Sequence, residues 1–164
     1  MNSIFFVLFL CVNFQVNAQN SIEDLLKQYN THEIPYISVH ELAMPKIQAI
    51  ILDARELEEY NISHIENAVL VGYKNFNLEQ TTKHLTDKKK TIVVYCSLGI
   101  RSENIAKKLK KVGYTNVYNL YGGIFEWKNK DFKVMDSEGH ETENIHAFSE
   151  TWSKWLLKGQ KVYQ

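Results

Sequence analysis

Short, unbroken apolar runs alternate along this chain with segments in which apolar residues recur every three or four positions, and the alternation predicts strands interleaved with helices. A first helix is expected from Ser21, where a capping residue precedes an acid, Asp24, three positions on, and Ile22, Leu25, Leu26 and Tyr29 share a face. The same signature returns at Ser38 and Glu41 ahead of Leu42, with Pro45 ending that helix early. Residues 49–55 (AIILDAR) read as a strand leading through a charged turn into a Glu-rich helix that runs through Tyr60, and 68–71 form another apolar run. Residues 78–85 have helical character before a solvated lysine turn at 87–90. The run TIVVYC at 91–96 is the pattern of a strand buried on both faces. It breaks at residues 97–102 (SLGIRS), and a helix follows at once, with Ile105, Ala106, Leu109 and Val112 as its apolar stripe, four lysines outside that stripe, and Gly113 as its stop. Residues 116–120 form a further strand, which Gly122 and Gly123 turn toward Trp127. Beyond a polar stretch at 136–144, Phe148, Trp152, Trp155 and Leu156 fall on one helical face and predict a C-terminal helix packed on the domain.

Strands alternating with helices imply an α/β fold with a parallel central sheet flanked by helices on both faces. The expected organisation is a leader over 1–18, an N-terminal helix and linker over 19–36, the α/β domain over 37–135 and a C-terminal helical extension over 136–164. The leader is read from the apolar run Ile4 to Val12, which is too short to span about 30 Å of hydrocarbon. No charged residue precedes Glu23, and small or modest residues end the segment at Ala18. This is the pattern of a signal peptide cut after Ala18, placing the protein in the periplasm or outside the cell. Cys11 is then hydrophobic filler, and the exported chain carries Cys96 as its single thiol, with no partner for a disulfide.

Composition narrows the function. The 164 residues suit one domain, and 19 basic against 19 acidic side chains give no overall positive field for nucleic acid or acidic lipid. His32, His40, His64, His84, His140 and His146 show no two-ligand metal spacing, so neither a metal nor another cofactor is expected. Chemistry concentrates instead at Cys96. In open α/β sheets, ligands collect at the carboxyl ends of strands. There, the unpaired N–H groups of the following helix, the tight turn allowed by Gly99 and the fixed charge of Arg101 all favour an anion on sulfur, the reactive thiolate form.

Three stretches carry a resemblance to a known family. Residues 52–55 (LDAR), Glu59-Tyr60 and residues 64–68 (HIENA) form the first, residues 95–102 (YCSLGIRS) the second, and residues 120–124 (LYGGI) through Trp127 the third. Together, from about Ile37 to Val134, they resemble the single-domain rhodaneses, the thiosulfate sulfurtransferases. Ser63 and Asn67 stand where that family commonly has glycine. The resemblance implies that Cys96 takes a sulfane sulfur as a persulfide, in a loop of Ser97, Leu98, Gly99, Ile100 and Ser102 whose amides at 98–101 cradle the outer sulfur. It also implies that Arg101 orients a small anionic donor such as thiosulfate. A thiol, cyanide or protein acceptor then removes the sulfur, without metal or organic cofactor. Asp53 and Arg55 are expected to brace the loop and pair with Glu59, and His64 to be a hydrogen-bonded structural group.

Two other readings compete. Cysteine-dependent phosphatases place five residues between cysteine and arginine, where this chain has four, and the shorter loop closes around one sulfur rather than a phosphoryl group. A non-catalytic rhodanese-like binding or sulfur-carrier module is the second, and modules of that kind often lack the cysteine found here. The tail, with His146, is where the sequence leaves room for substrate or partner choice.

Overall fold

The β-branched run at 92–94 forms the innermost strand of the molecule. In a computed structural model that describes residues 21–163, every residue of that strand is buried, and its side chains alternate between two separate cores. The segment 1–18 expected as a signal peptide, Cys11 included, lies outside the described residues. In chain order the elements are α1 (Ile22–Tyr29), β1 (Tyr36–Ile37), α2 (Val39–Leu42), β2 (Ile50–Asp53), α3 (Leu57–Ile62), β3 (Val69–Leu70), α4 (Leu78–Lys83), β4 (Ile92–Tyr95), α5 (Arg101–Lys111), β5 (Val117–Leu120) and α6 (Gly123–Asn129). The five strands form one parallel sheet in the order β1-β5-β4-β2-β3.

Val93 and Tyr95 face a core that Leu25 of α1, Leu42 of α2 and Phe125 of α6 complete. Ile92 and Val94 face the other, under Leu85, Ile105 and Leu109. Helices thus cover both faces, as the continuous apolar run at 91–96 requires. Both expected capping boxes form, Ser21 with Asp24 and Ser38 with Glu41. Val112 leaves the stripe assigned to it: it caps α5 and is exposed, while Gly113 makes the left-handed turn (φ +96°) that ends the helix. Gly122 and Gly123 do more than turn the chain, since they begin α6.

The helical extension expected over 136–164 is corrected. β6 (Val134–Met135) pairs antiparallel with β7 (Glu141–Thr142), and β8 (Asn144–His146) pairs parallel with β9 (Gln160–Val162). Helix in this stretch is confined to α7 (Glu150–Ser153). Phe148 has positive φ, +65°, and stays outside the helix, and α7 ends at Ser153, so Trp155 and Leu156 lie beyond it and the period that the aromatic spacing suggested is interrupted. Ile145 and Leu156 still reach the main core, so the tail is wrapped onto the domain.

The strand order places a topological switch between β2 and β4. From β2 the chain crosses outward to β3; from β4 it crosses the opposite way to β5. The connections diverge and leave a crevice at the carboxyl ends of β2 and β4, where such sheets hold ligands.

Candidate active site

Cys96 follows β4 directly and sits at the floor of that crevice. Its side chain is only 2% exposed, yet it lines a pocket of about 150 Å³ together with Ser97, Leu98, Ile100, Arg101, Phe148 and Trp152. Sγ accepts a hydrogen bond from the Gly99 amide at 3.1 Å, and the Ser102 hydroxyl lies 3.5 Å from it. Burial pushes the thiol up, but the Arg101 charge, the Ser102 hydroxyl and the Ser102 and Gly99 amides outweigh it and leave the thiol below its ordinary value. Among the described residues no protein group accepts from the amides of Leu98, Ile100 or Arg101, so the N–H groups of the loop and of the α5 N-terminus are available to an incoming anion.

Three braces shape the loop. Gly99 has φ +103°, a conformation that favours glycine, and its carbonyl is held by Asn119 Nδ2 at 2.7 Å and Asn30 Nδ2 at 2.9 Å. Asn119 Oδ1 also accepts the single proton of the Ser102 hydroxyl at 2.7 Å, so one buried side chain positions both Gly99 and Ser102 against Sγ. From below, the Ile124 and Phe125 amides of α6 bind the Cys96 and Ser97 carbonyls at 2.9 and 3.1 Å. Gly123 permits that approach, because a Cβ there would lie 2.2 Å from the Cys96 carbonyl oxygen.

Arg101 is held from the far side of the crevice. Its Nη1 and Nη2 bind the two Glu59 carboxylate oxygens at 2.7 Å each, Nη2 also donates to Ser97 Oγ at 3.0 Å, and the Ser97 hydroxyl donates to Glu59 Oε1 at 3.1 Å. Burial raises the Glu59 carboxyl, but Arg101, the Glu56 amide and the Arg55 charge dominate and hold it down at about 2. The expected grouping of Asp53, Arg55 and Glu59 is therefore corrected. Arg55, fully buried, pairs with Asp53 at 2.6 Å and donates to the Ser63 carbonyl, while Glu59 belongs to Arg101. Tyr95 donates to Asp53 and accepts from the Ile65 amide, so the Asp53–Arg55 pair ties the end of β4 to the chain after α3 behind the pocket. His64 lies away from the pocket. It stacks on Tyr60 with ring centroids 3.9 Å apart, and its backbone bridges to Met135.

The tail supplies what the sequence reading of the site lacked. Phe148 lies over the Arg101 guanidinium at 4.8 Å, and Trp152 closes the pocket while packing edge-on against Tyr29. His146 comes close to this mouth without lining it: its Nδ1 accepts from the Phe148 amide at 3.2 Å, which helps fix the positive-φ turn. Burial pushes its imidazole below the ordinary value; the Glu59 charge acts the other way, and those of Arg55 and Arg101 add to the fall. In the sequence Asn119 is one of two asparagines in the strand expected at 116–120 and carries no signal of its own, while Phe148 and Trp152 belong to the face expected to pack a C-terminal helix on the domain, with nothing to place them at the pocket. Among the described residues there is no cluster of three or more metal-ligating side chains and no helix long and apolar enough to cross a membrane.

Comparison with known proteins bears on the same stretch. A family model described as the rhodanese-like domain matches residues 38–130. A protein of Coxiella burnetii named thiosulfate sulfurtransferase GlpE is 33% identical over 96 residues, which cover 58% of this chain and 86% of the relative. A protein of onion yellows phytoplasma named tRNA uridine(34) hydroxylase is 40% identical over 90 residues, covering 52% of this chain and 29% of the relative, so the chain spans under a third of that protein. Among solved structures, the BH2092 protein of Bacillus halodurans superposes with a TM-score of 0.58 at 26% identity, over 73% of this chain and 89% of the other.

Proposed function

The chain belongs to the rhodanese-like domain family, and on that premise we propose that it is a sulfurtransferase working through a persulfide on Cys96. The observation that carries the reading is Sγ held by the Gly99 amide with the Ser102 hydroxyl beside it, beneath a loop in which the Leu98, Ile100 and Arg101 amides are free. The Cys96 thiolate attacks the sulfane sulfur of a donor. A new S–S bond forms, the donor's S–S bond breaks, and the departing fragment, sulfite in the case of thiosulfate, leaves with the electron pair. The amides of Leu98, Ile100 and Arg101 stabilise the charge on the outer sulfur. A thiol, cyanide or protein acceptor then attacks that sulfur and returns the Cys96 thiolate, so neither oxidant nor cofactor is consumed.

The sulfurtransferase relative of Coxiella supports this reading, because the chain spans 86% of that protein. Cysteine-dependent phosphatase chemistry is disfavoured by the four-residue interval between Cys96 and Arg101. A non-catalytic module is disfavoured by the presence of both Cys96 and Arg101 and by the unpartnered loop amides around Sγ. The reading includes export to the periplasm or beyond, on the strength of the apolar segment at 4–12.

The test is intact-mass spectrometry after exposure to thiosulfate or another sulfane-sulfur donor. One added sulfur should map to the fragment containing Cys96 and vanish in Cys96→Ser. Undiminished transfer by Cys96→Ser would refute the mechanism.

A further inference from the structure

The pocket above Cys96 is built more for an apolar donor than for a dianion. Among the described residues that line it, Arg101 is the one charged side chain, and three of its five N–H groups are already engaged, two by Glu59 and one by Ser97. Phe148 covers the face of the guanidinium at 4.8 Å. Glu59 is itself buried, so the ion pair is neutral before any substrate arrives. Thiosulfate would bring two negative charges beside a buried carboxylate and the nucleophilic sulfur; the loop amides that can receive charge are the ones the transferred sulfur needs, and the wall holds no second cation. Above the Cys96 floor the rest of the wall is Ser97, whose hydroxyl is taken up by Glu59 and Arg101, with Leu98, Ile100, Phe148 and Trp152, around about 150 Å³. An apolar cavity of about that size, lined by aliphatic and aromatic side chains, accommodates a benzene ring.

We propose that the sulfur donor of this site is an organic persulfide, R–S–SH, whose R is an aryl or branched alkyl group seated against Phe148 and Trp152, and that these two residues determine its specificity. The inference rests on the Cys96 persulfide reading and adds the substrate class. The step balances within the pair: the Cys96 thiolate attacks the outer sulfur, the Cys96 S–S bond forms as the donor's S–S bond breaks, and R–S⁻ leaves with the electron pair and takes a proton from water. The free loop amides receive the partial charge on the transferred sulfur, while R makes only apolar contacts. Both aromatic residues lie outside the matched family span of 38–130, so this selectivity belongs to the tail of this chain.

The test offers the purified protein benzyl persulfide, cysteine persulfide and thiosulfate, and follows sulfur addition to Cys96 by mass. Benzyl persulfide should load Cys96 at least about tenfold faster than cysteine persulfide at limiting donor, since the two differ in the group the wall contacts. Trp152→Ala should collapse that ratio toward one, and Trp152→Phe should retain most of it. Phe148→Ala, at a position already 48% exposed, makes the same comparison with little core to lose. If cysteine persulfide or thiosulfate loads Cys96 as fast as benzyl persulfide, or if both alanine variants slow every donor alike, the inference is overturned and the persulfide reading stands. If no donor adds sulfur to Cys96, the persulfide reading fails and the inference fails with it.

Discussion

Glu59 and Arg101, 42 residues apart, meet across the switch point of the sheet in a two-pronged ion pair, carboxylate to guanidinium, at 2.7 Å on each side. One comes from the helix after β2 and the other from the helix after β4, so the pair joins the two connections that diverge around the pocket. Glu59 Oε2 also accepts from the Glu56 amide, which leaves the carboxylate little freedom to turn elsewhere.

Removing one charge from a buried pair strands the other. Glu59→Gln should lower stability by about 3–5 kcal/mol, read from urea unfolding at neutral pH. The folded-state carboxyl lies at about 2 against an ordinary 4.5, so its contribution is present above about 4.5 and is lost as pH falls toward about 2. The wild-type protein should therefore lose stability through that window more steeply than Glu59→Gln; parallel curves would contradict the assignment.

The Cys96 thiol should alkylate with a pH midpoint below that of a free cysteine, because the Arg101 charge, the Ser102 hydroxyl and the neighbouring amides outweigh burial. Ser102→Ala should move the midpoint up, and Arg101→Gln should move it further, since the charge is the larger of the two contributions and Glu59 is then left unpaired nearby. Rates of iodoacetamide modification against pH measure this, and an unmoved midpoint in both variants would contradict it.

Asn119 holds the Gly99 carbonyl and the Ser102 hydroxyl from inside the sheet. Asn119→Ala leaves buried polar groups unsatisfied and should cost about 1–3 kcal/mol. It should also slow Cys96 alkylation at fixed pH, because Gly99, which donates to Sγ, and Ser102, which lies against it, both lose their brace. A stability loss with unchanged thiol reactivity would limit Asn119 to packing.

Gly123→Ala should be the most disruptive small substitution in the domain. Its Cβ would meet the Cys96 carbonyl oxygen at 2.2 Å and the Ser97 carbonyl at 2.7 Å, at a position with φ +57°. The loop or α6 must move, at a cost above about 1 kcal/mol, and Cys96 reactivity should change with it. Thermal unfolding and alkylation rate together report both effects.

Much of this domain is written locally. The apolar run at 91–96 and the stripe of Ile105, Ala106 and Leu109 announce β4 and α5, and the Cys96-to-Arg101 interval places the reactive loop between them. The partner of Arg101 is not local. Glu59 stands close in sequence to Asp53 and Arg55, which makes Arg55 its expected partner; only the divergence of the β2 and β4 connections brings it to Arg101 instead. The tail misled for another reason. Phe148, Trp152, Trp155 and Leu156 have helical spacing, but positive φ at Phe148 holds it outside the helix and α7 ends at Ser153, so Phe148 and Trp152 line the pocket while Leu156 fills the core.

The pocket is assembled from two stretches of chain that answer to different constraints. Its floor, residues 96–102, is locked by Gly123, Asn119 and the ion pair, so almost any change there disturbs the nucleophile. Its wall hangs from a turn whose ring at 148 is half in solvent and bears little of the packing. Such a division lets substitution in the tail alone redirect which molecules are admitted, while the reacting atom keeps its surroundings: a lineage can alter its diet without rebuilding its tooth.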